Sequence, residues 1–287
     1  MIIVTGANGK LGRTVVERLL ERVPAAQIGV SVRDPEKARD LGQRGVRVRR
    51  GDFDDAASLA DAFAGASRVL IVSVDSLGEA AVGQHRAAID AAKAAGAGRI
   101  FYTSHAGADP ISAFPPMRDH AATEVALRDA GVPFTSLRNG FYAQTAAFLV
   151  GAALGTGELR APQDGPVDYT TIPDLAEATA IALADEDLDE TILTLTGAEA
   201  VDAAGLAAMA SELAGRPIRR VVVSDDEYRA GLVAHGVPEP QAAMFLTLFV
   251  AARQGAFTRV DPTLTRLIGR PPTPVRDALK EAISSAG

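Results

Sequence analysis

The chain of 287 residues has no cysteine, no tryptophan and only four histidines. Because cysteine is absent, disulfide bonds, thiolate catalysis and cysteine-ligated metals are excluded. No two histidines stand four residues apart, so the sequence predicts no histidine-based metal site. Aromatic residues make up 5% of the chain. The few that lie near a predicted pocket are therefore stronger candidates for a binding role.

Charge and hydropathy disfavour two classes of partner. The net charge is −7 and is spread along the chain, whereas nucleic-acid binding needs a basic stripe. No apolar run reaches the length of a membrane span. The first strand-like run begins at the N-terminus with no basic leader before it. We therefore expect a cytoplasmic protein, monomeric or homodimeric, that binds neither nucleic acid nor a membrane.

Strand-like and helical runs alternate regularly in the first half of the chain. The strand-like runs cover residues 2–4, 27–32, 46–49, 68–72, 99–103 and 134–137, and the helical runs cover 11–21, 35–43, 56–64, 83–95 and 120–130. This alternation predicts an α/β fold, a Rossmann-like doubly wound parallel sheet. After residue 150 the pattern loosens. We expect a cofactor-binding domain at 1–150 and a small C-terminal α+β lobe at 151–287 on the substrate side, with a discontinuous boundary.

The most informative stretch is a turn with three glycines between the first strand-like run and the first helical run. Such a turn lets the backbone approach a pyrophosphate closely, and the following helix directs its N–H groups at the anion. The spacing is G-x-x-G-x-x-G, which fits the dinucleotide fingerprint G-x-G-x-x-G only approximately, and a simple packing turn is the alternative. The turn residues expected to bind a cofactor are Gly6, Ala7, Asn8, Gly9, Lys10, Leu11 and Gly12.

The end of the second strand indicates which dinucleotide is bound. Arg33 stands about 20 residues beyond the glycines, where the residue that contacts the adenosine ribose is expected. A guanidinium can bind a 2′-phosphate and stack on adenine, which favours NADP(H) over NAD(H). A solvated surface arginine is the alternative. Asp34 can accept from a free 2′-hydroxyl, but its place before Pro35 suits a helix cap.

Residues at the ends of the third and fourth strands extend the expected site. Asp52 can accept a hydrogen bond from the adenine amine, with a helix cap as the alternative, a role that Asp54 or Asp55 could serve better. Phe53 can lie beside the ring. Ser73, Val74 and Asp75 follow the fourth strand and should line the far side of the cofactor.

Many reductases of this architecture use a Tyr-x-x-x-Lys pair as the general acid, and this chain lacks one. The residues four places after its four tyrosines are Ala106, Ala146, Pro173 and Leu232. If Glu124 holds the usual acidic position of the helix, His120 takes the place of the lysine and Pro116 that of the tyrosine. His120 can donate a proton or a hydrogen bond near neutral pH, or it can be structural.

Two further segments are candidates for the substrate side. Ser104 ends the fifth strand, where its hydroxyl can orient a substrate or simply close the strand. After the sixth strand, Gly140 lets the backbone approach a ring. Asn139, Phe141 and Tyr142 can then form a wall for a flat aromatic substrate above the nicotinamide, with core packing of the two aromatic residues as the alternative.

Several segments occur in the order and spacing of a known family. They are 5–12, 32–38, 102–104, 120–124, 137–142 and 267–271. Together they resemble the NmrA-like, atypical short-chain dehydrogenase family, including its type 2 NAD(P)H:quinone oxidoreductases and triphenylmethane dye reductases. The helix at 120–124 and the segment 137–142 are more specific than the glycine turn, which a whole superfamily shares.

The resemblance implies NADPH as cofactor and hydride transfer to a quinone or a cationic dye. It places residues 6–12 on the pyrophosphate and Arg33 on the 2′-phosphate. The contacts that it implies along the ribose and nicotinamide are Ser73, Val74, Asp75, Leu137, Arg138, Asn139, Gly140, Phe141 and Tyr142. Tyr102 and Thr103, at the end of the fifth strand, are also expected to bind the cofactor. The quinone-type pattern has lysine directly after the helix glutamate, but this chain has Val125, so that position is assigned no role.

The absence of the Tyr-x-x-x-Lys pair limits the class of electron acceptor. Hydride addition to a quinone gives a stabilised phenolate, and hydride neutralises a dye cation, so proximity and stacking suffice. The sequence thus predicts an NADPH-dependent reductase of quinones or similar flat electrophiles, with His120, Tyr142 and Ser104 as candidate catalytic residues. A non-enzymatic NADP(H) sensor is the alternative.

Overall fold

The computed structural model describes residues 1–286, and its strands and helices alternate as far as β6. The strands are β1 (Ile2–Thr5), β2 (Ile28–Val32), β3 (Arg47–Arg50), β4 (Arg68–Ile71), β5 (Arg99–His105), β6 (Phe134–Asn139), β7 (Phe141–Tyr142), β8 (Glu158–Ala161), β9 (Val167–Thr170), β10 (Ile192–Leu195), β11 (Ala200–Val201) and β12 (Arg219–Val222). The helices are α1 (Lys10–Leu20), α2 (Arg39–Gln43), α3 (Ala56–Phe63), α4 (Gly78–Ala94), α5 (Pro115–Ala130), α6 (Ala143–Thr156), α7 (Ile172–Ala184), α8 (Ala203–Ala214), α9 (Asp225–Ala234), α10 (Glu239–Arg253), α11 (Thr263–Ile268) and α12 (Val275–Ala286).

A seven-stranded parallel sheet forms the centre of the molecule, and its strand order is β10-β6-β5-β4-β1-β2-β3. The chain runs outward from β1 to β3 and then restarts at β4 on the other side of β1. The strand order therefore reverses between β1 and β4, and open sheets bind ligands at the carboxyl ends of the strands at such a point. The expected Rossmann-like α/β fold is confirmed.

Helices cover both faces of this sheet. Consecutive residues of a strand point to opposite faces, and β1 shows the consequence: Val4 packs in the core beneath α1 and α7, while Ile3 packs in the core beneath α3, α4 and α5. Because both faces are buried, β1, β2 and β4 carry mainly apolar residues on both faces rather than in alternation.

The second half of the chain contributes to two parts of the fold. Strand β10 pairs with β6 at the edge of the main sheet, and α7 packs against α1. Most of the remaining elements form a lobe with its own core, built on α6, α8, α10 and α12 and on two small sheets, β11-β9-β7 and β12-β8, whereas α11 packs on α7 and β10.

Two helices begin earlier than the sequence pattern indicates. Helix α4 begins at Gly78 and α5 at Pro115, each five residues before the expected start. In α5 the first turn contains Pro115 and Pro116, which is permitted because the N–H groups of a first helical turn have no partner inside the helix. None of the helices within residues 1–286 has the length and apolar character needed to cross a membrane.

The turn between β1 and α1 depends on a close backbone contact. Gly6 has φ +65°, a left-handed conformation that glycine adopts without strain. A Cβ atom on Gly12 would lie 2.5 Å from the carbonyl oxygen of Gly6. The first turn of α1 therefore packs directly on the backbone of the glycine turn, and only glycine fits at position 12.

We predict that Gly12→Ala lowers the free energy of unfolding by about 1–3 kcal/mol, because the added methyl group must displace backbone. Gly83→Ala is the matched control: Gly83 lies in α4 with open space around its Cα, and alanine there should stabilise the helix by about 0.5–1 kcal/mol. Urea denaturation measures both changes. Equal stability of the Gly12→Ala variant and the original protein would contradict the contact.

Candidate active site

The N-terminus of α1 opens at the carboxyl edge of the sheet and is free to bind an anion. Gly9 is the N-cap residue and supplies no side-chain cap, which leaves the first N–H groups of the helix without a capping side chain among residues 1–286. The Asn8 side chain donates a hydrogen bond to the carbonyl oxygen of Asp34 at 2.9 Å. This bond fixes the glycine turn against the loop that follows β2, where the expected 2′-phosphate site lies.

Arg33 is exposed in that loop and makes no hydrogen bond or ion pair with any residue from 1 to 286. Its neighbours are occupied. Asp34 accepts from the backbone N–H of Glu36 at 3.2 Å and caps the short turn after it, and Arg39 pairs with Glu36. The capping interpretation of Asp34 is confirmed, and the guanidinium of Arg33 is left available for a ligand.

Asp52 and Phe53 lie at the end of the edge strand β3. Asp52 accepts from the backbone N–H of Asp54 at 3.2 Å and lies 3.8 Å from Arg50. The cap of α3 is Asp55, so the capping alternative raised for Asp52 is wrong. The ring of Phe53 is half-buried against the core under α3.

The ends of β4 and β5 are tied together by hydroxyl groups. The N–H of Ser73 donates to Thr103 Oγ1 at 2.8 Å, and the Thr103 hydroxyl donates back to Ser73 Oγ at 3.1 Å. The N–H of Val74 donates to His85 Nε2 at 3.1 Å, whereas Asp75 is exposed. These bonds hold the β4 loop against β5 and α4.

A buried carboxylate organises β5, β6 and α5. Glu124 accepts from Ser104 Oγ at 2.7 Å, from Ser136 Oγ at 2.6 Å, and from Arg138 through two hydrogen bonds of 2.9 and 2.6 Å. Burial alone would raise the pKa of Glu124, but these hydrogen bonds outweigh it and hold the pKa below its usual value. Ser104 therefore has a structural partner, and the guanidinium of Arg138 is engaged with Glu124 rather than free.

His120 belongs to a hydrogen-bonded chain that reaches into the core. Its Nδ1 lies 2.8 Å from the hydroxyl of Tyr102, a fully buried side chain of β5. His85 of α4 completes the chain at 3.5 Å from the same hydroxyl. Burial lowers the pKa of both histidines to about 4 and raises that of Tyr102. All three side chains are therefore uncharged at neutral pH, and the ring of Tyr102 faces the helices rather than the sheet edge.

An aromatic cluster lies between the end of β6 and the lobe. The Phe141 ring contacts His105 with 4.5 Å between ring centroids and Phe257 with 4.8 Å, both edge to face. Tyr142 is half-buried beside it. Leu137 and Asn139 are buried, the former in the sheet core. Of the residues expected to form the aromatic wall, Phe141 and Tyr142 are partly exposed.

Asp168 is a buried residue that the sequence analysis missed. Neither of its carboxyl oxygens has a hydrogen-bond partner among residues 1–286, and it packs directly behind Gly140, where a Cβ atom would collide with it. Burial raises the pKa of Asp168 to about 8. The available signal was a single acidic residue beside Val167 and Tyr169 in a short β-prone segment.

We predict that Asp168→Asn changes the pH dependence of stability. An unfolded aspartate has a pKa of about 3.9. Between that pH and about 8, the folded protein retains a proton that the unfolded chain has lost. The wild-type free energy of unfolding therefore falls as the pH rises through this range. Asparagine does not titrate, so the variant should gain on the order of 1–3 kcal/mol at pH 8 and little at pH 4.

Thermal unfolding of the Asp168→Asn variant at pH 4, 6 and 8 tests this. Asp90→Asn, a change at an exposed carboxyl of α4, is the control and should show no such trend. A constant difference between Asp168→Asn and wild type at all three pH values would contradict the raised pKa.

Comparison with known proteins decides the family. The sequence model of the NmrA-like family matches residues 1–268. The chain belongs to the NmrA-like family. The resemblance inferred from the motifs is thereby confirmed.

Individual relatives match this NmrA-like chain over almost its full length. Quinone oxidoreductase 2 of Escherichia coli is 36% identical over 282 residues, which cover 97% of each chain. The crystal structure of the NADPH-dependent quinone oxidoreductase of E. coli in complex with NADPH superposes with a TM-score of 0.93 at 35% identity, over 99% of this chain and 100% of the other. The structure of Citrobacter sp. triphenylmethane reductase with NADP(H) gives a TM-score of 0.91 at 36% identity, over 98% and 100% of the two chains.

Proposed function

We propose that this NmrA-like protein is an NADPH-dependent oxidoreductase that transfers hydride to a quinone or a similar flat electrophile such as a dye cation. The observation that carries the proposal is that two anion-binding features lie close together at the carboxyl edge of the sheet. The uncapped N-terminus of α1 and the guanidinium of Arg33, unpaired within residues 1–286, lie on two neighbouring loops that the Asn8–Asp34 hydrogen bond joins. The related reductases that were solved with NADPH or NADP(H) support it.

The residues present fit such a cofactor. The backbone N–H groups at the start of α1 would hold the pyrophosphate, because a helix N-terminus stabilises negative charge. Arg33 would hold the 2′-phosphate through charge-assisted hydrogen bonds. When bound, NADPH supplies a hydride. The chain orients it with the loops after β4 and β6, which include Ser73 and Gly140.

The side chains near this edge limit the choice of acceptor. Tyr102 is buried and hydrogen-bonded, and its pKa is raised by burial, so it does not deliver protons at neutral pH. His120 is uncharged there because burial lowers its pKa to about 4. A simple ketone would need a strong acid to protonate its alkoxide. A quinone or a cation does not, so an electrophile of that class matches the site.

The acceptor would be held by stacking and exclusion of water. Phe141 lies between the end of β6 and the lobe, where its contacts with His105 and Phe257 hold it in place, whereas Tyr142 packs against the sheet core. A rigid aromatic wall favours a flat ring at low entropic cost. The lobe would cover the opposite face of the acceptor. We therefore assign the lobe to the substrate side of the fold.

We predict that Arg33→Ala weakens NADPH binding selectively. Loss of charge-assisted hydrogen bonds to the 2′-phosphate should raise the NADPH dissociation constant about 10- to 100-fold and leave that of NADH nearly unchanged. Arg39→Ala is the control, since Arg39 is paired with Glu36 in the same loop, and it should affect both cofactors little. Calorimetric titration measures the dissociation constants of both cofactors for the wild type and the two variants. Equal losses of NADPH and NADH in Arg33→Ala would refute the assignment.

The activity itself is tested by following NADPH oxidation at its nicotinamide absorbance with three kinds of acceptor. We expect turnover with p-benzoquinone and with a triarylmethane cation, and none with a simple aliphatic ketone. If NADPH binds and neither the quinone nor the dye is reduced, the proposal is wrong. The non-enzymatic NADP(H) sensor then becomes the better interpretation.

A further inference from the structure

The hydrogen bonds of His85 define where its proton lies. The backbone N–H of Val74 donates to His85 Nε2 at 3.1 Å, so this nitrogen carries no proton. The proton of the neutral ring is then on Nδ1, which lies 2.9 Å from Thr123 Oγ1. The Thr123 hydroxyl donates its own hydrogen to the carbonyl oxygen of Asp119 at 2.8 Å. Its oxygen is therefore free to accept from His85.

The tautomer of His85 limits which ring nitrogen can accept the hydroxyl hydrogen of Tyr102. The Tyr102 hydroxyl has two ring nitrogens within reach, His85 Nδ1 at 3.5 Å and His120 Nδ1 at 2.8 Å. His85 Nδ1 is protonated and cannot accept. The hydroxyl also neighbours Thr123, whose oxygen already accepts from His85, so we infer that Tyr102 donates over the 2.8 Å contact to His120 Nδ1. The proton of the neutral His120 ring is then on Nε2.

The Nε2 atom of His120 has no hydrogen-bond partner within the described part of the chain and is not among the enclosed polar atoms there. The ring is half-buried, and it lies 6.2 Å from the His105 ring, which in turn contacts Phe141. The free N–H thus belongs to the same edge of the sheet as the aromatic wall.

We propose that Tyr102 and His85 are positioning residues that hold His120 with its proton on Nε2, and that this N–H donates a hydrogen bond to a carbonyl oxygen of the quinone. The inference rests on the proposed function and names the group that assists it. As hydride adds to the quinone, a carbonyl oxygen receives the displaced electron pair, and the hydrogen bond stabilises the resulting oxyanion. His120 keeps its proton throughout, and water supplies the proton that completes the hydroquinone.

A cationic acceptor provides a control within the same active site. In a triarylmethane cation, hydride adds to the central carbon and the positive charge disappears, so no oxyanion forms. A donor on His120 has nothing to stabilise in that reaction. The proposal therefore predicts that the contribution of His120 depends on the acceptor, which a purely structural histidine would not show.

The experiment measures kcat of His120→Ala and Tyr102→Phe with p-benzoquinone and with crystal violet, at saturating NADPH. We expect His120→Ala to lower the quinone rate about 10- to 100-fold and leave the dye rate nearly unchanged. Tyr102→Phe should lower the quinone rate in the same direction but by less. Without the Tyr102 hydroxyl, the His120 ring can carry its proton on either nitrogen. His235→Ala, at the exposed end of α9, should alter neither rate.

Nitrogen NMR of the 15N-histidine-labelled protein gives an independent readout. We expect a protonated Nε2 and an unprotonated Nδ1 for His120 in the wild type, and a mixture of both forms in Tyr102→Phe. A protonated Nδ1 in the wild type, or an equal loss of both rates in His120→Ala, would overturn the inference alone. A wild-type protein that reduces neither acceptor would overturn the proposed function and the donor role with it.

Discussion

The close backbone contact between Gly12 and Gly6 determines where this protein can bind a ligand. It brings the first turn of α1 onto the end of β1, beside the point where the strand order reverses. The helix N-terminus and the loops after β2 and β4 therefore open at one edge. The Asn8 side chain then ties the turn to the loop that carries Arg33. A positive, uncapped edge of this kind suits a phosphorylated dinucleotide.

The same edge is poor in groups that release protons. The side chains buried next to it are held uncharged by desolvation, as in His85, Tyr102 and His120. The buried carboxylate of Glu124 is fully used in binding Ser104, Ser136 and Arg138. What remains is a preorganised set of neutral hydrogen bonds and an aromatic wall. Such a site lowers a barrier by orientation and by stabilising developing charge, and it matches acceptors that need no acid.

The sequence predicted those features that depend on local chemistry. Alternating runs indicated the sheet, glycine spacing indicated the turn, and a capping residue before proline explained Asp34. The features it missed depend on distant contacts. The pairing of β10 with β6, the choice of Glu124 as the partner of Ser104 and the burial of Asp168 behind Gly140 each join segments far apart in the chain. The face of the sheet to which the Tyr102 side chain points follows from the pleat of β5. This face can be assigned only when the limits of the strand are known.

The central claim is that this edge binds NADPH and passes its hydride directly to an acceptor. The most direct measurement is a single-turnover reaction of the protein with [4,4-2H2]NADPH and a triarylmethane cation, followed by mass spectrometry of the reduced dye. Direct transfer predicts one deuterium on the central carbon of the product and a slower reaction than with unlabelled NADPH. Bound NADPH that stays reduced, or a product without deuterium, would contradict the account.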